Sequence, residues 1–486
     1  MGKQPSCSIR IGREQGRSNS GVAQAHQPNS FGSAKVSGAF DRYREMLPQS
    51  AVTQMLQGRS VFSRGSPLSA WVVIWLMIYQ RLDTKGTLSV AVREMLVGSV
   101  RQYVPRAEDA EPLSANTSAY SQARSKLPVD MAEKASDMIF DGLRQEPTIL
   151  SGLGQPMFLL DGSSIQLPHT PELIAAYPPQ CNQFGVSHWS LIRVLGATDV
   201  VSGLAARPCS GPMNGSGAVS EQELAKEMMG RLPEGCGVMG DRNFGVFSMA
   251  YHASQQNHPC LFRLTQARAR KLNGGTTPNA RTDKVIRWMP TREDRRNNPE
   301  IAKQSMVEGR LVVCKIRVKG KPEKLYFFTT LDLTADQILE VYGHRWNIET
   351  DLRSLKQEVR LHMIEAKSKA MVQKELVLAV AAYNLTRATM NQAASALQCN
   401  PREFSYSLAQ DTINAFLPAF ANATTDPQRE ELMQEMLRVF KYSKLPDRSN
   451  RSPYERAIWP RGRSFPYRKL AKKCKSLGKR NVTKKN

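Results

Sequence analysis

The chain has 486 residues, too many for one ordinary hydrophobic core, and its 41% hydrophobic and 23% charged content is that of a folded protein in water. A formal net charge of +24, with a pI near 9.8, favours a polyanionic partner through attraction to phosphates and release of their counterions. The longest apolar run, LSAWVVIWLMIY over 68–79, is too short to span a bilayer, and the eight cysteines and seven histidines lack the spacing of a disulfide framework or a zinc site.

Residues 1–35 are rich in Ser, Gly, Gln and Asn, with no apolar core of the kind a secretory signal needs, and read as a disordered N-terminus. A cytoplasmic protein associated with the nucleoid, with no membrane partner, is expected. Over 36–150, apolar residues recur at spacings of three and four. That predicts an all-helical domain with helices at 39–46, 67–81, 88–103, 114–127 and 129–143, whose exposed Arg and Lys suit DNA contact. The character changes at Pro156. MFLLDGSSIQL over 157–167 predicts a strand, and 188–206 two more. Ser220 with Glu223 forms a capping box that opens a helix to 231. GVMG over 237–240 predicts a short buried strand, 247–256 a helix and PCLFRLT over 259–265 a strand. This alternation describes an α/β domain over 151–400.

Residues 266–322 break the rhythm. Basic clusters with Gly, Asn and Pro surround strand-like pieces at 285–289 and 311–318, which predicts an inserted β-rich subdomain. KLYFFTT over 324–330 predicts a strand, Thr334 opens a helical stretch, and 372–397 predicts a long helix. A helical region over 401–460 follows. The last segment, 461–486, has eleven Lys or Arg and no acid, and reads as a disordered, phosphate-seeking tail.

The chemistry concentrates in YGHRWNIETDLRSLK over 342–356. Tyr342, Arg345, Glu349 and Lys356 fall within a sector of roughly 60° on a continuous helix, with Arg353 close by. Gly343 and Trp346 stand inside the stretch as possible breaks. A carboxylate among cations and a phenol fits a site that holds a divalent ion with a nucleic-acid backbone beside it. Two further acids follow apolar runs: Asp161 after FLL, and Asp241 after GVMG. Three carboxylates from separate segments are about what two divalent ions roughly 4 Å apart need for in-line displacement at phosphorus. Each residue also has a plainer reading. The DGS of Asp161 forms turns, Asp241 could cap the helix near 247, Glu349 could pair with Arg345 or Arg353, and the motif helix could be a solvated face of ion pairs.

These segments resemble the DDE transposases of the bacterial IS4 family. The likeness rests on FLLDGSS at Asp161, GDRNFG at Asp241 and the Y-R-E-K spacing of Tyr342, Arg345, Glu349 and Lys356. It is supported by SAYSQARSKLP, YFFTTL and KELVLAVAAYNLTR, and it covers roughly residues 85–400. Ser163 and Ser164 stand where threonine is commoner. The resemblance implies an RNase H-like catalytic core with a β-rich insertion, behind the helical N-terminal domain. It implies a catalytic and metal-holding triad of Asp161, Asp241 and Glu349, with Mg2+ as the usual ion, two ions bound and Mn2+ as a substitute. It further implies cut-and-paste DNA recombination of an insertion sequence on double-stranded element ends and target DNA, with a homodimer in the synaptic complex. Tyr342, Arg345, Lys356 and Arg353 would be DNA-binding. Trp288 is the candidate stacking platform for a flipped base, or else a core residue of the small subdomain, and Trp346 is expected to pack the helix on the sheet. A transposase-derived DNA-binding regulator without catalysis and a stand-alone nuclease are the alternatives.

Overall fold

Apolar spacing at the start of the chain resolves into six helices: α1 (Ala39–Met46), α2 (Gln49–Met55), α3 (Ala70–Leu82), α4 (Leu88–Val97), α5 (Thr117–Lys126) and α6 (Val129–Arg144). The computed structural model describes residues 38–62, 66–83, 85–104, 113–146, 155–183, 185–318 and 321–445. The expected disordered segments, 1–35 and 461–486, and the junction at 147–154 lie outside the described residues. Met1–Lys444 form one unit and Leu445–Asn486 a second, and every helix and strand of the described residues belongs to the first.

Polar side chains accept hydrogen bonds from the first-turn amides of these helices: Ser69 from Val72 in α3, Thr87 from Val90 in α4 and Asn116 from Ser118 in α5. The apolar sequence of α3 is buried almost all round, so it is a core helix, and no helix among the described residues is long and apolar enough to cross a membrane.

The α/β part follows in the order β1 (Met157–Leu167), α7 (Pro171–Ala176), β2 (Cys181–Asn182), β3 (Gly185–Val186), β4 (Ser190–Asp199), β5 (Cys209–Pro212), α8 (Glu221–Met229), β6 (Gly237–Gly240), α9 (Phe247–Gln255) and β7 (Cys260–Leu264). Then come α10 (Gln266–Leu272), β8 (Asp283–Trp288), α11 (Arg292–Asn297), β9 (Val307–Val318), β10 (Lys321–Thr329), α12 (Ala335–Gly343), α13 (Trp346–Gln357), α14 (Lys369–Ala396), α15 (Tyr406–Asn422) and α16 (Asp426–Phe440).

Eight strands form one mixed sheet in the order β5-β4-β1-β6-β7-β10-β9-β8, and β2 with β3 forms a separate ribbon. β1, β6 and β7 run parallel, joined by crossovers through α8 and α9, while the other pairings are antiparallel. The strands of the expected insertion, β8 and β9, add to the edge of this sheet beyond β10. Alternation along β1 divides the core. Phe158 and Leu160 join the larger cluster with Leu224 and Met228 of α8 and Phe247 of α9. Leu159 joins a second cluster with Ile338 and Tyr342 of α12 and Ile348 of α13.

The helix α14 connects the two halves. The Asn384 side chain makes two 2.8 Å hydrogen bonds with the Ala205 backbone beside the sheet. Lys374 Nζ donates to the carbonyls of Arg124 (2.7 Å), Ser125 (3.1 Å) and Leu127 (2.9 Å), closing the C-terminus of α5. Glu375 accepts from Arg81 at 2.7 Å and also from Arg124, so the charges buried at this seam are paired.

Candidate active site

Register places the acids. In the parallel pair β1 and β6, Leu159 lies opposite Met239, and two residues further on Asp161 comes beside Asp241. In the parallel pair β6 and β7, Gly240 lies opposite Phe262, so Asp241 comes beside Arg263. Neighbouring strands are about 4.8 Å apart, and the period of two sends all three side chains to the face of Leu159, Met239 and Leu261. The row stands where the parallel pairing of β1, β6 and β7 gives out, the position at which a crossover sheet opens a crevice.

The strand does not end at Asp161. β1 continues to Leu167 against β4, with Asp161 opposite Gly196; what stops there is the pairing with β6. The turn reading of DGS is thereby corrected, and Asp161 Oδ1 accepts the Gly162 amide at 2.9 Å within the strand. Asp241 is not the cap of α9, because Val246 holds that position. It accepts the Asn243 amide at 2.8 Å and so shapes the turn after β6.

The motif is two helices rather than one. α12 ends at Gly343, and α13 begins at Trp346, with Arg345 as its N-cap residue. Tight bonds from Arg345 N–H to Tyr342 O (3.0 Å) and from Asn347 N–H to His344 O (2.8 Å) carry the chain across the break. The single wheel therefore divides. Arg345, Glu349 and Lys356 share one face of the α13 segment, while Tyr342 turns inward, 3% exposed, with its ring 4.7 Å from Phe327. Its Oη makes no hydrogen bond of ordinary geometry, and its field comes from Arg263, Arg345 and Asp241.

α13 is fixed from behind. Asp351, fully buried, accepts from Arg387 Nη2 of α14 at 2.6 Å and from Arg402 Nη1 at 2.5 Å, and Arg402 Nη2 also donates to Asp199 O at 2.9 Å. Two guanidinium groups hold the Asp351 carboxyl below its usual range despite burial.

Electrostatics join the two sides of the crevice. Burial pushes the Asp161 carboxyl up to about 6; the Gly162 amide and Arg345 oppose this, and Asp241 and Glu221 add to it. Burial lowers the Lys356 amine, with Asp161 pulling it back. Glu349 is held by Arg345 at 3.2 Å, which is one of the pairings expected from the sequence. Among the described residues, no three His, Cys, Asp or Glu side chains stand close enough to hold a metal ion. The donor set that fits a hard divalent cation is the Asp161–Asp241 pair, two oxygen ligands whose mutual repulsion a cation relieves.

Arg353 is exposed, one turn beyond Glu349 on α13. Trp346, expected against the sheet, is instead 45% exposed, because the break before α13 turns its first residue outward. Trp288 lies on the edge strand β8, five strands from β1, or roughly 24 Å along the sheet. It is 8% exposed, with its ring 4.8 Å from Phe328 and 6.0 Å from Phe247. Sequence reasoning missed three residues. Arg263 was visible as a charge interrupting an apolar strand. Asp351 lay inside the motif, and Glu221 sat beside a capping box with nothing to mark it.

The family model for the transposase DDE domain matches residues 152–385. The transposase InsG for insertion sequence element IS4 of Escherichia coli (strain K12) is 25% identical over 325 residues, spanning 64% of this chain and 70% of that protein. Among solved structures, a piggyBac transposase synaptic complex with hairpin DNA is similar at a TM-score of 0.41 and 10% identity, over 85% of this chain and 86% of that one, too remotely to inform the fold.

Proposed function

We infer that this chain, a DDE transposase of the IS4 family catalysing metal-dependent phosphoryl transfer on DNA, excises an insertion sequence by nicking at its ends and joins the freed 3′-hydroxyls to target DNA. The observation that carries this reading is the register that sets Asp161 beside Asp241, under a helix bearing Arg345, Glu349 and Lys356 on one face. Five strands, β5-β4-β1-β6-β7, with their antiparallel hairpins and parallel crossovers, are the part we read as the RNase H-like core, with β8 and β9 as the insertion and α1 to α6 as a DNA-contacting region.

Asp161 and Asp241 would hold Mg2+ or Mn2+, and Glu349 would become a ligand on exchanging Arg345 for the ion. When bound, the ion stabilises charge on the phosphoryl and nucleophile oxygens. In nicking, a water oxygen attacks phosphorus, the bond to the 3′ oxygen breaks, and a 3′-hydroxyl and a 5′-phosphate result. In joining, that 3′-hydroxyl gives up its proton and attacks a target phosphodiester, the bond from phosphorus to the target's own 3′ oxygen breaks, and that oxygen leaves as a new 3′-hydroxyl. Arg345 and Lys356 hold backbone phosphates in the crevice, Arg263 supplies a further cation at the end of the acid row, and the buried Tyr342 Oη lies in the field of Arg263, Arg345 and Asp241. Arg353 is placed for an outer phosphate. Trp288, packed in the core, would need to leave Phe328 and Phe247 to stack a base, which favours its structural reading. Two element ends must be handled together, so a homodimer is the working assembly.

Asp161→Asn and Asp241→Asn should each abolish nicking of DNA carrying the element ends while leaving end binding within about threefold, less than a single charge-assisted contact is worth. Nicking by both variants at the wild-type rate would overturn the assignment. Cleavage by the wild type without any joined product would instead indicate a nuclease.

A further inference from the structure

A fourth carboxylate, that of Glu221, lies against β1 next to Asp161, and its field reaches that side chain. Glu221 is the first residue of α8, on the opposite face of the sheet from α13. Its neighbour Glu223 does the ordinary work of an N-terminal acid, accepting the Ser220 amide at 2.6 Å in the capping box. The Glu221 carboxylate reaches elsewhere. Oε2 accepts from Asn243 Nδ2 at 2.7 Å, two residues after Asp241. The same carboxylate lies over Gly162, the residue after Asp161, so closely that a Cβ there would collide with it. Arg193 is the cation beside it, at 3.8 Å. A carboxylate brought toward two others raises the electrostatic cost of the fold, and that cost falls when a cation joins them.

We propose that Glu221 is a positioning residue of the cleavage site: it braces strand β1 at Gly162, next to Asp161, against the turn after Asp241 and adds a further negative charge to the field at Asp161, and so sets how strongly the site draws a divalent cation. The proposal rests on reading Asp161 and Asp241 as the metal-holding pair. Glu221 acts through Asn243 and through its field, so its charge and its hydrogen bond are separable. Glu221→Gln keeps an oxygen that accepts from Asn243 and loses the charge. Glu221→Ala loses both.

The test is calorimetric titration of the full-length protein with Mn2+ in the absence of DNA, followed by the nicking rate as a function of Mn2+. Residues behind a metal site typically change affinity 10–100-fold, so Glu221→Gln should weaken Mn2+ binding by about tenfold and recover a near-wild-type rate at saturating Mn2+. Glu221→Ala should weaken binding as much and stay about tenfold slow at saturation, because the turn after Asp241 is no longer braced against β1. Wild-type Mn2+ affinity in both variants, with melting temperatures unchanged, overturns the proposal. Asp161→Asn separates the two levels. If it loses Mn2+ binding while the Glu221 variants do not, Glu221 alone is wrong. If it binds Mn2+ as the wild type does, the metal-holding pair fails and the proposal fails with it.

Discussion

Gly162 has no side chain, and that gap is what lets the Glu221 carboxylate lie next to Asp161. It sits in β1 with extended backbone, so alanine is compatible with the strand and only the contact with Glu221 is lost. Gly162→Ala should therefore reproduce the weakened Mn2+ binding of Glu221→Ala, about tenfold, without altering any acid; unchanged binding would show that the carboxylate moves aside freely. Asp161 and Asp241 were legible in the sequence because a charge at the edge of an apolar run is costly unless something compensates it. Glu221 was not, since one acid in the first turn of a helix looks like any other and its target came from a strand some sixty positions earlier, brought close only by tertiary folding. Glu94 carries a separate titration. Burial pushes its carboxyl up to about 7, against hydrogen bonds from Trp75 Nε1 (2.9 Å) and the Val100 amide (3.3 Å). A raised carboxyl favours the folded state while it keeps its proton, and that contribution is lost as pH climbs from its unfolded value through about 7. Glu94→Gln should raise the melting temperature relative to wild type at pH 8 and give little gain at pH 5. An equal gain at both values would contradict the assignment.

Among the elements, α13 decides the geometry of the site. Its acid and cations were readable, and so were Gly343 and Trp346 as possible breaks. The direction of the break was not, because it depends on where α12 finds its pocket under Phe327 and where Asp351 meets Arg387 and Arg402. That buried carboxylate anchors the helix from the face opposite Glu349. Removing it leaves two guanidinium groups without their partner, so Asp351→Ala should destabilise the protein by about 3–5 kcal/mol, the usual cost of breaking a buried pair. Chemical denaturation checks the figure, and a loss below about 1 kcal/mol would mean that water or another acceptor replaces the carboxylate. The capping box at Ser220, the helix start at Thr334 and the strands at 157–167 and 237–240 were legible to the residue, since local chemistry alone sets them. The joining of β8 and β9 to the main sheet was not, because pairing partners distant in sequence leave no periodic trace.

For the whole molecule, the charge of +24 and the acid row act together. In the proposed function the cations would supply DNA affinity without sequence preference, and the row would supply the chemistry. Binding to the element ends should weaken on the order of a thousandfold between 50 and 200 mM salt, as for an interface with six or more phosphate contacts. Removing residues 461–486 should make that dependence shallower; an unchanged slope would show that the tail does not touch DNA. We hold that two aspartates aligned by strand register and one glutamate across the crevice form a single phosphoryl-transfer site. The sharpest test incubates DNA that carries the chain's own flanking element ends with purified protein and Mg2+, comparing wild type with Glu349→Gln. Wild type should give excised and joined products, and the variant bound ends with nicking reduced at least about a hundredfold, the scale of losing one transition-state electrostatic contact. Nicking by Glu349→Gln at the wild-type rate would contradict a shared site.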